Sequence, residues 1–177
     1  MRNSIRASLI CAAAAVCAAG LAPACAAEPA AELSPLLADQ EAGLRTSLAE
    51  TAAVIVRAGE ALQLRFPARL AFVPDRPELL PAAMTMLDLL ARSLREYERT
   101  GIVVAVYTDV IGSAEYNQEQ ARARAAEVVA YLATRGISPA RLVARGAGES
   151  SPLEAPNTPE GRELNRRLEL TITPLSS

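Results

Sequence analysis

The stretch VVAVYTDVIGSAEYNQEQARARAAEVVAYL, Val103 to Leu132, decides the fold. Ile102 to Val106 is a short apolar run rich in β-branched residues, which suits a buried strand. The run ends in Tyr107-Thr108-Asp109. Gly112 and Ser113 mark a turn, and Ser113 suits an N-cap with Glu115 in the first helical turn behind it. Ala125, Val128, Val129 and Leu132 then recur at helical spacing, and Gly136 is placed to stop the helix. The reading is strand, polar loop, long helix. A charged loop on the carboxyl end of a buried strand is a good place for binding residues.

Working outward, Leu80 to Tyr97 reads as a second amphipathic helix. Met84, Leu87, Leu90, Ala91 and Leu94 form its apolar stripe. Leu62 to Phe66 alternates apolar and polar, so it should be a strand with one solvated face. Pro67 and the cluster Pro74-Asp75-Arg76-Pro77 make a loop, with Phe72 as a core plug within it. Downstream, Leu142 to Arg145 is a short strand. Gly146-Ala147-Gly148-Glu149 lacks the spacing of a phosphate-binding loop and reads as a tight turn. Thr158-Pro159 opens a short helix, N-cap then first helical residue, running to about Leu164. Leu168, Leu170 and Ile172 alternate with Glu169, Thr171 and Thr173 as a last half-exposed strand. The order βαβαββ, with a short helix before the final strand, predicts an α/β (α+β) sandwich: helices on one face of a mixed four-stranded sheet.

The N-terminal part divides differently. Residues 1–27 read as a secretory signal peptide, with Arg2 and Arg6 ahead of the apolar run Ala7 to Leu21. Ala24-Cys25-Ala26 and Cys25-Ala26-Ala27 both fit a small-x-small cleavage site. Cleavage before Cys25 would give a lipidated N-terminus, but Pro23 departs from that pattern. Residues 28–58 are expected to be a linker and an amphipathic helix. Leu37, Leu44, Leu48 and Ile55 carry its stripe, and Gly59 ends it. That helix packs on its own domain or, alternatively, meets an envelope partner or a second copy. Residues 59–174 form the main domain and 175–177 a tail.

Composition removes several functions. Cys11, Cys17 and Cys25 all lie in the leader, so the exported chain has no disulfide or thiolate chemistry. There is no His, hence no His triad and no imidazole metal site. All 18 basic residues are Arg; without Arg2 and Arg6 there are 16 against 20 acidic residues, a net charge near −4. That balance argues against nucleic acid. A wall hydrolase would need two carboxylates about 5–9 Å apart beside a sugar cleft, and nothing in the spacing selects such a pair, Asp109 with Glu149 included.

Several separated motifs, in order, carry a resemblance. They are TDxxGSxxYN from Thr108, RAxxVxxYL from Arg124, Gly136-Ile137, Arg141-Leu142, GxGExxP from Gly146, and Asn165-Arg166-Arg167. Together they resemble the C-terminal domain of the OmpA family over roughly residues 60–174. Two places depart from the family: Tyr107 stands where many members carry His, and Gln120-Ala121 where a Leu-Ser pair is frequent. The resemblance implies non-covalent binding of peptidoglycan in the periplasm, with no catalysis, metal or cofactor. It assigns ligand contact to Asp109 and Arg124, fifteen positions apart. Diaminopimelate in such a wall ends in an ammonium and a carboxylate on one carbon. Asp109 would accept from the ammonium, and the planar Arg124 fork would match the carboxylate. Residue type and spacing alone leave these two as an internal ion pair. Around them we expect Thr108, Gly112 and Asn117, with backbone N–H groups of residues 110–112 as further donors. Arg166 is a candidate for the pocket as well as for a structural role beside Arg167. The alternative function is a periplasmic scaffold that keeps the fold without wall binding.

Overall fold

The structure, a computed structural model, describes residues 29–175; the expected leader and its three cysteines lie outside the described residues. In chain order the elements are helix α1 (Pro29–Ser47), strands β1 (Val54–Ala58) and β2 (Ala61–Pro67), and helices α2 (Ala68–Ala71) and α3 (Pro81–Glu96). Strand β3 (Thr100–Tyr107), helix α4 (Ala114–Thr134), a 3-10 turn (Pro139–Arg141), strand β4 (Leu142–Gly148), helix α5 (Pro159–Asn165) and strand β5 (Arg167–Pro174) follow. The strands form one mixed sheet in the order β1-β2-β5-β3-β4, in which only β3 and β4 run parallel.

Register explains the core. Leu62, Leu64 and Phe66 stand opposite Ile172, Leu170 and Leu168. Those three stand opposite Ile102, Val104 and Val106 on the other side. All nine are at most 2% exposed. Because a strand alternates sides every residue, Gln63, Arg65, Glu169 and Thr171 fall on the opposite face. Helix α4 closes over β3 and β4 through Ala121, Ala125, Val128 and Leu132, which are fully buried. Helix α3 adds Met86, Leu87, Leu90 and Leu94 to the same core. Burying each such Leu contributes about 1.5–3 kcal/mol, so this face is the main source of stability.

Helix α4 lies very close to β4. A Cβ on Gly146 would sit 2.6 Å from the Arg122 amide nitrogen. The start of α4 follows the sequence: Ser113 accepts from the Tyr116 amide at 3.1 Å. Its end is set by Gly136, which takes the left-handed conformation at φ +85°.

Four expectations are corrected. The sheet has five strands rather than four, because residues 54–58 are not the end of a helix. Val54, Ile55 and Val56 are β-branched, and Ile55 pairs with Leu64 in a hairpin that Gly59 turns at φ +60°. Residues 54–58 are therefore part of the sheet that continues past Gly59. Met84 is 38% exposed, and Met86 takes its place in the α3 stripe. The expected loop after Pro67 begins with the short helix α2, while Phe72 is buried as expected. The glycine run at 146–148 is the end of β4, and the turn begins only at Gly148, φ +55°. Helix α1 sets Leu37 and Leu44, and the turn after it Leu48, against its own domain, next to α3.

Candidate functional site

Strand β3 and helix α4 leave a loop between them, and everything around that loop follows from how β3 ends. Pairing with β4 shifts by one residue between Val106 and Tyr107, a bulge that leaves Ala147 unpaired and sets Tyr107 opposite Gly148. The Thr108 amide then donates to the Gly148 carbonyl at 2.8 Å. Thr108 and Asp109 are held at the mouth of the sheet. Asp109 Oδ1 accepts from the Ile111 amide at 3.1 Å, a local turn that folds the loop back toward α4. Asn117, one turn into α4, locks it: Nδ2 donates to the carbonyls of Asp109 at 3.2 Å and Ile111 at 3.1 Å. Gly112 sits at φ +103°, with Asn117 Oδ1 3.7 Å from where its Cβ would be.

The result is a cavity of about 310 Å³. Thr108, Asp109, Asn117, Arg124 and Arg166, five of the six sequence-predicted residues, line it. Gly112 does not; it supplies the backbone bend instead. The backbone donors expected from residues 110–112 are partly engaged, since the Ile111 amide serves Asp109. Glu149 is not among the lining residues, so Asp109 has no carboxylate partner from that quarter.

Asp109 and Arg124 share the cavity without pairing to each other. The Asp109 carboxylate is 10% exposed and pairs with Arg166, which also pairs with Glu163. Burial works against the Arg166 charge, but hydrogen bonds to Glu163 and Asp109 outweigh it and raise its pKa above the ordinary value. Arg124 lies elsewhere. Its Nε donates to the Arg76 carbonyl at 3.1 Å, and its guanidinium stands 5.2 Å from the centre of the Phe72 ring. Burial pushes the Arg124 pKa down, opposed by Asp75 and Tyr116. Among the described residues it has no ion-pair partner. The length of α4 between Ser113 and Arg124 is bridged because the loop at residues 73–79 comes up beside the helix.

Sequence reasoning missed the residues from that loop. Asp75 lines the cavity, with its backbone at φ 56°. Gln120, at one of the family departures, donates to the Asp75 carbonyl at 3.2 Å and to the Tyr116 hydroxyl at 2.6 Å. It fastens the loop to α4. The other departure, Tyr107, stands outside the cavity on the far face of the sheet, with the Arg167 guanidinium 3.6 Å from its ring centre. Burial, then Glu169, raises the Tyr107 pKa. Arg166 lines the cavity, while Arg167 lies over Tyr107 on the sheet. Thr108 Oγ1 is buried with no hydrogen-bond partner. Such a hydroxyl is unusual in a folded protein, and Thr108 is one of the residues that line the cavity. Among the described residues no group of side chains could hold a metal ion, and no helix is long and apolar enough to cross a membrane.

Known proteins share both sequence and architecture. "Probable lipoprotein YiaD" from Escherichia coli (strain K12) is 34% identical over 136 residues, 77% of this chain and 62% of that protein. The chain thus spans under two thirds of that relative's length. The "Peptidoglycan-associated lipoprotein" of Pseudomonas putida is 35% identical over 122 residues, covering 69% of this chain and 73% of the relative. A crystal structure of a MotB-like protein from Desulfovibrio vulgaris superposes with a TM-score of 0.75 at 29% identity, covering 83% of this chain and 96% of that one. The model of the OmpA family matches residues 71–166, from α2 to the arginine that pairs with Asp109. On this sheet order, this cavity and these matches, the chain belongs to the OmpA family.

Proposed function

We propose that this chain binds peptidoglycan without acting on it chemically, and so tethers the cell envelope to its wall. The ligand group is the zwitterionic end of diaminopimelate. One observation carries the reading: Asp109 and Arg124 line one cavity and are each held by other groups rather than by each other. An internal ion pair would have closed the space between them. Held apart, they offer an acceptor for an ammonium and a fork for a carboxylate. Thr108 supplies an unused hydroxyl within the same wall. Arg166 pairs with Asp109 and orients it, and Asn117 fixes the loop that carries it.

The relative named for its association with peptidoglycan supports this choice of ligand. The lipoprotein names of two relatives and the leader at residues 1–27 support a place in the periplasm, at the outer membrane. The stripe of α1, otherwise open to an envelope partner or self-association, is occupied by its own domain.

Co-sedimentation with insoluble wall sacculi tests the proposal. Residues 28–177 should sediment, and Asp109→Ala and Arg124→Ala, each shown to be folded, should stay in the supernatant. Losing one hydrogen-bonded charge contact of about 1.5–3 kcal/mol weakens binding about ten- to hundredfold. Sedimentation of all three alike would remove the clamp and keep the binding. Wild-type protein left in the supernatant would favour the scaffold reading.

A further inference from the structure

A second cavity adjoins the first. It measures about 320 Å³ and lies between the β1–β2 end of the sheet and α5. Its walls include Val54, Pro67, Leu153 and Leu164. Three of these are large apolar side chains left open to solvent: Val54 is 58% exposed, Leu153 41% and Leu164 55%. Four guanidiniums, Arg65, Arg69, Arg166 and Arg167, line the same groove. Apolar walls with an arginine rim fit a ligand that has small apolar side chains and ends in an anion.

Two features tie the groove to the cleft. Arg166 lines both cavities. A chain of ion pairs also runs between them: Arg69 to Glu163 at 2.8 Å, Glu163 to Arg166, and Arg166 to Asp109. Charge within the cluster does not balance. Against the four arginines stand three carboxylates, Glu163, Glu169 and Asp109, which leaves one positive charge in excess. One donor is also unused. Arg167 is 5% exposed, lines the groove, and its buried Nε has no acceptor. A buried N–H without a partner is costly to leave unmet, so an anion reaching it would be favoured.

We propose that this groove is a second subsite of the same surface and takes the D-alanine that follows diaminopimelate in a wall peptide, with its free carboxylate. The assignment rests on the wall-binding reading above. The occupant follows from chemistry. A peptide whose zwitterionic side-chain end fills the cleft continues from its other end by one or two alanines. Their methyl groups suit Val54, Leu153 and Leu164, and their terminal carboxylate suits the arginine excess. The groove lies near the low end of the range for small-ligand sites, about 300–1,000 Å³, which favours one or two small residues over a pair of sugar rings. The protein would then prefer wall peptides that end freely over those whose terminal D-alanine is joined to a neighbouring strand.

Titration calorimetry on the full chain tests this with two soluble probes. One is the stem tetrapeptide L-alanyl-D-glutamyl-diaminopimelyl-D-alanine. The other is the same peptide with its terminal D-alanine carboxylate converted to an amide. The free acid should bind about tenfold more tightly, as expected for one charge-assisted contact. Leu164→Glu puts a carboxylate on the groove wall at an exposed position, and should abolish the preference by weakening binding of the free acid about tenfold more than that of the amide. Val54→Glu, on the opposite wall, should act alike. Equal affinity for both probes in the wild type overturns the groove assignment and leaves the cleft standing. A preference that survives both variants also overturns it. If neither probe binds, the groove and the wall-binding reading fall together.

Discussion

Thr108 separates what folding needs from what binding needs. Its amide is committed to the Gly148 carbonyl, so the backbone is held whatever the side chain is. Its hydroxyl is buried and has no partner, in a residue that lines the cavity. Replacing it by the isosteric Val removes an unsatisfied polar atom and keeps the β-branched shape. Thr108→Val should therefore leave the denaturation midpoint unchanged or slightly raised. If the hydroxyl meets the ligand, affinity for soluble wall peptide should fall about three- to tenfold, the worth of one neutral hydrogen bond. Unchanged affinity with unchanged stability would exclude the hydroxyl from the contact set. Asp109 behaves differently, because its carboxylate also accepts from the Ile111 amide and pairs with Arg166. Removing it mixes loop order with ligand contact, so the Thr108 result is the easier of the two to interpret.

Gly146 makes a site possible at the level of elements. Helix α4 carries Asn117, Gln120 and Arg124, and it can present them beside the end of β3 only by lying almost against β4. The Cβ of an alanine at Gly146 would come within 2.6–3.0 Å of the Arg122 backbone and Cβ, so helix and strand must part. Gly146→Ala should cost about 1–3 kcal/mol, the usual range for overpacking, read as a lowered urea midpoint. A midpoint within error of wild type would mean that α4 moves freely on the sheet. This contact also marks the limit of sequence reading. Val103 to Leu132 announced its strand, loop, N-cap and helix, because each has a local cause in period, capping residue or glycine. The five expected residues that line the cavity come from the family pattern, and two of them, Asp109 and Asn117, are bound by short-range hydrogen bonds. Asp75 was not found. It enters the site because residues 73–79 pack beside α4, a contact across 45 positions between Asp75 and Gln120 that no local pattern encodes. Strand β1 was missed for another reason. Ile55 falls seven residues after Leu48, so helical spacing absorbed a run whose β-branching argued for a strand.

Helix α1 decides what counts as the whole molecule. The OmpA family match begins at residue 71, yet the core extends well ahead of it. Leu37, Leu44 and Leu48 are at most 2% exposed and join one continuous apolar cluster with α3 and the sheet. Gln40 is buried beside them, with its Nε2 3.4 Å from Ser93 Oγ. Strand β1 then continues the sheet at its edge, and Arg45 of α1 donates to the Ile55 carbonyl at 3.2 Å. The N-terminal segment thus covers one end of the domain and supplies an outer strand to it. A segment built in this way should unfold with the rest. Leu44→Ala leaves a cavity in the shared cluster and should destabilise the protein by about 2–5 kcal/mol. The loss should appear in one cooperative transition, with far-ultraviolet dichroism and Tyr fluorescence changing together. The tyrosines report on the domain itself, since all four lie between Tyr97 and Tyr131. If Leu44→Ala instead shed helical signal early while the tyrosine transition kept its wild-type midpoint, α1 would be an appendage. Its apolar face would then again be open to a partner in the envelope. Coincident transitions, shifted together, would mean that the OmpA-family domain of this chain begins at α1.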